Sequence, residues 1–177
     1  MKCPVCKSNS LKEQELVEGL QSWHCLTCQG NWLKSFQFWN WIETKKEILS
    51  TPVENVQLEL QDNTDAKVCI ECSHILRKFK VSHDLDFYID RCMTCGGIWF
   101  DRNEWQAMSQ KGLQKQVHLI FSANWQHQIK EVEYKSSLKE LYREKLKGDF
   151  DEVVRVKKWL KNHPQKVDIY AFLNLDL

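Results

Sequence analysis

Eight cysteines stand in this 177-residue chain as four Cys-x-x-Cys pairs, Cys3/Cys6, Cys25/Cys28, Cys69/Cys72 and Cys92/Cys95. Thiolate sulfur binds soft and borderline metals. Eighteen residues between Cys6 and Cys25, and nineteen between Cys72 and Cys92, suit two knuckles closing on one tetrahedral ion. The expected chemistry is therefore two sites holding two Zn2+: Cys3, Cys6, Cys25 and Cys28 for the first, Cys69, Cys72, Cys92 and Cys95 for the second. A shell filled by protein sulfur keeps no position open for water or substrate, so both ions read as structural and no cysteine is left over as a nucleophile.

Other sulfur chemistries compete with this reading. Tetrahedral sulfur also suits iron, so a rubredoxin-like electron carrier stays an alternative. Disulfides need an oxidising compartment, but the chain opens Met1-Lys2-Cys3-Pro4 without a charged-then-apolar leader, and a cytoplasmic location is expected. A thioredoxin-like redox site would use one Cys-x-x-Cys between a strand and a helix, not four evenly spaced pairs.

The elements that must position these sulfurs are repeated. Shifting the chain by 66 or 67 positions lays Cys3, Cys6, Cys25, Cys28, Gly30 and Trp32 on Cys69, Cys72, Cys92, Cys95, Gly97 and Trp99. Each copy needs a hairpin between its knuckles. In the first, Glu18-Gly19 is the expected reversal; in the second, Leu85, Phe87 and Ile89 alternate with Asp86, Tyr88 and Asp90 after a turn at Ser82-His83-Asp84. The Gly of each Gly-x-Trp is expected to turn with positive φ beneath the metal, and the Trp to cover the site of its own copy.

Cys92-Met93-Thr94-Cys95-Gly96-Gly97-Ile98-Trp99-Phe100-Asp101-Arg102-Asn103-Glu104 resembles the signature of the transcription-factor-IIB-type zinc-ribbon family of bacterial proteins, and Cys3-Pro4-Val5-Cys6 resembles its opening knuckle. The resemblance implies small zinc ribbons, and by the family's name a transcription-related role. Departures are Gln29, Asn31, Lys34 and Phe38 in the first copy and Ile70 in the second, none of which touches a ligand position. Asp101 and Glu104 have capping-box spacing, so a helix is expected to begin there, with Ser35 as the substitute N-cap in the first copy.

After the first copy, Phe36, Phe38, Trp39, Trp41 and Ile42 are too many apolar groups for one narrow helix stripe, and burial against the other ribbon or the C-terminal helices is expected. That helix should end before Thr51-Pro52; a short strand through Val56, Leu58 and Leu60 and a loop at Asp62-Asn63-Thr64-Asp65 should follow. From Asn103 the chain reads as helix, interrupted near Gly112. It resumes as one long helix through Leu113, Val117, Ile120, Phe121, Trp125, Ile129 and Val132, with a kink around Ser136-Ser137 and a stop at Gly148. Asp149 should cap a further helix, which Asn162-His163-Pro164 ends before a last short one.

The fold expected is thus α+β, with two tandem zinc ribbons, each followed by a helix, and a helical C-terminal region. The divisions fall at 1–50 (first ribbon and helix), 51–66 (linker), 67–111 (second ribbon and helix) and 112–177 (helical region). Residues 1–101 carry 11 Lys and Arg against 14 Asp and Glu, residues 102–177 carry 14 against 10, and two Zn-thiolate centres would take the ribbon half to about 7 negative. An acidic ribbon half argues against phosphate-backbone binding there. No stretch has the length of apolar sequence a membrane helix requires, and no membrane partner is expected. Phosphate loops and nucleophile elbows are missing, and no catalytic residue is assigned. The six histidines lack ligand spacing; His24, beside Cys25, is the one placed to support a metal site. A structural zinc protein acting as a protein-interaction adaptor is the leading expectation, with nucleic-acid binding as the alternative.

Overall fold

The computed structural model describes residues 1–44, 58–60 and 65–175. The expected helix end at Thr51-Pro52 and the loop at Asp62-Asn63-Thr64 lie outside these, as does Val56 of the expected strand; Leu58 and Leu60 are described and are not in a strand. Two compact units are present, Met1–Lys130 and Glu131–Leu177.

In the first unit, β1 (Leu11–Val17) turns at Gly19, φ 79°, into β2 (Leu20–Cys25), and β3 (Asn31–Leu33) returns from the second knuckle. The second copy repeats this with β4 (Leu76–Lys80), β5 (Tyr88–Cys92) and β6 (Ile98–Phe100). These strands form one six-stranded sheet in the order β1-β2-β3-β6-β5-β4. The ribbons join by antiparallel pairing of β3 with β6, Asn31 opposite Phe100, Trp32 opposite Trp99 and Leu33 opposite Ile98. A local two-fold relation follows, since each ribbon offers the same short strand to the other.

Side chains alternate across a strand, so the paired registers sort the sheet into two faces. Trp23, Cys25, Trp32, Trp99 and Cys92 fall on one face, where they join Cys3, Cys69, Leu11 and Leu76 in a cluster spanning both cysteine quartets. Leu33, Ile98, Phe100, Ile89 and Phe79 fall on the other, beneath α1 (Ser35–Thr44) and α2 (Glu104–Gln110). Phe38 and Trp41 of α1 are buried there with edge-to-face contacts to Trp105 at 6.3 and 5.6 Å, whereas Phe36 remains 74% exposed. Trp41 Nε1 also donates to Glu18 O, tying α1 to the β1–β2 turn.

The sequence suggested that each tryptophan covers the site of its own copy; both join the cluster that spans the two quartets, and each reaches across to the other copy. A Cβ on Gly30 would stand 2.2 Å from Trp99 Cζ2, and one on Gly97 would stand 2.1 Å from Trp32 Cζ2. Each indole lies on the other copy's glycine, so the glycines are required for room and neither has positive φ. Gly30→Ala or Gly97→Ala should therefore each destabilise the sheet by about 1–3 kcal/mol through overpacking. Guanidinium unfolding of the zinc-loaded protein, followed by Trp fluorescence, measures this.

Two helical expectations also change. Glu104 Oε2 accepts from the Asp101 amide at 2.7 Å, half of a capping box, while the Glu104 amide turns to the Asp101 carbonyl at 3.3 Å. The Asp101 carboxylate is taken instead by Trp99 Nε1 and Lys67 Nζ, so α2 starts from Asn103 at φ 65°. Likewise the single helix expected from Leu113 breaks. A 3-10 turn (Gln114–Gln116) and α3 (Val117–Ile120) precede α4 (Ala123–Leu146), because Ser122 Oγ accepts from the Trp125 amide and starts a new helix. α4 continues as one helix through Ser136-Ser137; after a 3-10 turn at Lys147–Asp149 come α5 (Phe150–Lys161) and α6 (Lys166–Leu173).

Candidate metal centres

Each Cys-x-x-Cys is the same turn, written four times. The amide four residues after the first cysteine donates to that cysteine's carbonyl: Lys7 to Cys3, Gln29 to Cys25, Ser73 to Cys69 and Gly96 to Cys92, at 2.8 to 3.1 Å. Each first-cysteine amide in turn donates to the carbonyl five residues on, at Ser8, Gly30, His74 and Gly97, over 2.8 to 2.9 Å. Lys7, Gln29, Ser73 and Gly96 carry the left-handed backbone, with φ of 60, 61, 61 and 76°. The residue after the second cysteine thus absorbs the strain expected of Gly30 and Gly97. Only Gly96 is free of the steric penalty; Gln29 bears it where the family signature has glycine.

The sulfurs of each set lie within 4.8 Å of one another. Cys3 and Cys28 are 3.6 Å apart and Cys6 and Cys25 3.9 Å; Cys69 and Cys95 are 3.5 Å apart and Cys72 and Cys92 3.3 Å. A tetrahedron with metal–sulfur bonds near 2.3 Å has an edge of about 3.8 Å, so the quartets fit one ion each. They are far longer than the roughly 2.05 Å of a disulfide, and all eight cysteines are free. The structure brings together every cysteine assigned to each site and shares none between sites.

The surroundings favour thiolate. The amides of Val5 and Cys6 donate to Cys3 Sγ at 3.4 Å, the Glu71 amide to Cys69 Sγ at 3.4 Å and the Cys95 amide to Cys92 Sγ at 3.5 Å. Ser10 Oγ lies 2.9 Å from Cys25 Sγ. Without metal, the hydrogen bond from the Cys28 thiol outweighs burial and, with the two amides, brings the Cys3 thiol down to about 5. For Cys92, burial works upward, but the Cys95 and Thr94 amides and the neighbouring thiols prevail and bring it to about 6. The partners Cys28 and Cys95 are pushed up, Cys28 by its bond to Cys3 and then burial, Cys95 by burial. Each quartet thus carries at least one readily formed thiolate with which metal capture can begin.

Several residues around the centres had no sequence signal. Lys67, two positions before Cys69, is 1% exposed and reaches Asp90 at 2.6 Å and Asp101 at 2.8 Å. Burial opposes its charge, but the two carboxylates outweigh burial and hold the ammonium above its usual range. His24 serves neither as ligand nor as support to the metal; its Nδ1 lies 3.0 Å from Asn31 Oδ1, on the sheet face away from Cys25.

A closed sulfur shell, four repeated knuckles and a hairpin between each pair define a duplicated zinc ribbon that binds metal for structure. Residues 2–44 and 68–111 both match the model of the transcription factor zinc-finger family, the TFIIB-type zinc ribbon. No curated protein and no solved structure matches the chain. Among the described residues, no helix is long and apolar enough to cross a membrane.

Proposed function

We propose that this protein is a cytoplasmic adaptor whose two zinc centres brace a sheet and whose C-terminal helices offer apolar surface to a protein partner. One observation carries the reading. Among the described residues of the second unit only Phe150 and Leu160 are buried apolar residues, whereas Tyr134, Trp159, Tyr170 and Phe172 are 52 to 66% exposed, beside exposed Leu141, Val153, Val156 and Leu173. Isolated exposed apolar residues are ordinary, but this many within under fifty residues marks a surface that association would cover. The metals take no part in chemistry and no catalytic residue is assigned.

Capture from native extract with the zinc-loaded chain, compared with Trp159→Ala/Phe172→Ala, tests this. A specific protein retained by the parent and reduced at least tenfold in the variant, with two zinc ions per chain in both, is the expected result. Equal capture by the variant, or no specific partner, would overturn the proposal.

Nucleic-acid binding is the second reading. It is supported by the family's description and by exposed Arg155, Lys157, Lys158 and Lys161 on α5. Binding to duplex or single-stranded DNA or RNA that weakens steeply between 50 and 200 mM salt, as such contacts do, would favour it over the adaptor.

A further inference from the structure

The duplication supplies its own control for which residues the ribbon fold requires. On the helix-facing side of the second ribbon, Phe79, Ile89 and Ile98 are buried side by side, and Arg91 is covered by the Phe121 ring at 4.5 Å. By strand register the same places in the first ribbon hold Gln14, Ser22, Asn31 and His24. Three apolar positions have become polar on a face that is otherwise core, and Ser22 and Asn31 are 1% and 6% exposed. Burying polar groups is costly, and the second ribbon shows that the fold does not demand it.

Gln14, His24 and Asn31 line a cleft of about 140 Å³, with Ser22 behind Asn31. Asn31 is pinned at its back: its Oδ1 takes Ser22 Oγ at 3.3 Å and His24 Nδ1 at 3.0 Å, and its Nδ2 donates to Gln29 O at 3.3 Å. Gln14, Gln29 and Gln106 bring amide groups to the walls, and Arg102 comes across from the second ribbon. No Asp or Glu lines the cleft, and the buried Arg102 Nε has no acceptor among the described residues.

We infer that this cleft binds a carboxylate, paired with the Arg102 guanidinium and flanked by the glutamine amides. A planar two-oxygen anion matches the guanidinium fork. One cation among neutral donors balances one negative charge and leaves a phosphate dianion undercompensated. At roughly 30 Å³ per water-sized group, the volume takes a group of about five heavy atoms, the size of a small acid or the end of a Glu side chain. The matching place in the second ribbon holds the apolar Phe79, Ile89 and Ile98, with Arg91 beneath Phe121.

The test uses the full zinc-loaded chain and follows the Arg102 Nε–Hε resonance by NMR during titration with sodium propionate, acetyl-Gly-Glu-Gly-amide and inorganic phosphate. A saturable shift with propionate alone supports the proposal with a free acid as ligand. A saturable shift with the blocked peptide supports it with the acidic side chain of a protein as source. Arg102→Gln, read on the His24 ring signals, should weaken binding at least tenfold. Ser22→Ile/Asn31→Ile, which copies the second ribbon and so keeps a foldable face, should abolish it while retaining two zinc ions. No saturable shift with either carboxylate, tighter binding of phosphate, or undiminished binding by the Ile pair would overturn it.

Discussion

Cys92→Ser should cost the protein both ribbons, not one. A structural zinc site contributes apparent binding free energy of about 10–16 kcal/mol, at least as large as the whole net stability of an ordinary domain at about 5–15 kcal/mol. If the ribbons were independent, the first would survive on its own quartet. Instead β3 and β6 are three-residue strands that pair in the middle of the sheet, and Trp99 rests on Gly30 while Trp32 rests on Gly97. Loss of the second metal frees Cys95 and Gly97, withdraws Trp99 and leaves β3 as an unpaired edge. Hydrogen exchange at the Cys25 amide, bonded to Gly30 O at 2.9 Å, should quicken at least a hundredfold in the variant even with one zinc still bound. Unchanged exchange would show the ribbons to be separate folding units.

Acid should act through the same coupling. Cys3 and Cys92, at about 5 and about 6, lie below the ordinary thiol value, so their folded-state thiolates stabilise the protein above that value and lose their contribution as pH falls through 6 and 5. Metal release requires protonation of ligands, and the β3–β6 pairing ties the fate of one quartet to that of the other. A dye-based zinc release titration should therefore show near-UV dichroism of the buried tryptophans falling with the first equivalent released, not with the second.

The two cysteine quartets were legible in the sequence because a Cys-x-x-Cys turn is local: both sulfurs and the amides that point at them lie within six residues. The duplication was legible for the same reason, as was the Glu18-Gly19 reversal. What the sequence concealed was every relation between the copies. Gly30 and Trp32 are two residues apart, and packing within one copy was the natural reading; their true partners are Trp99 and Gly97, which only the β3–β6 register brings within reach. Asp101 and Glu104 had the spacing of a cap, but spacing cannot show that Lys67, 34 residues earlier, claims the carboxylate. The polar face at Ser22 and Asn31 gave no signal either, since an exposed hairpin edge and a lined cleft look alike in one dimension.

The Lys67 network makes the second large prediction, because the first copy shows what replaces it. Register and repeat place Met1 where Lys67 stands, Trp23 where Asp90 stands and Lys34 where Asp101 stands, and there Lys34 Nζ lies 5.8 Å over the Trp23 ring. An ionic network in one copy is a cation–aromatic contact in the other, so neither is required by the ribbon itself. The exchange has a cost in the first copy: buried Trp32 Nε1 has no acceptor among the described residues, while Trp99 Nε1 donates to Asp101 at 2.7 Å. Lys67→Met should destabilise the zinc-loaded protein by about 3–5 kcal/mol, because two buried carboxylates lose the ammonium that bonds both, Lys78 standing only at 3.8 Å from Asp90. Replacing the set together, Lys67→Met/Asp90→Leu/Asp101→Asn, removes those charges and keeps an oxygen acceptor for Trp99. That triple variant should recover to within about 1.5 kcal/mol of the parent in guanidinium unfolding with excess zinc. Equal instability of single and triple variants would mean that the ions themselves, and not merely their mutual compensation, hold β5 and β6 against the segment leading to Cys69.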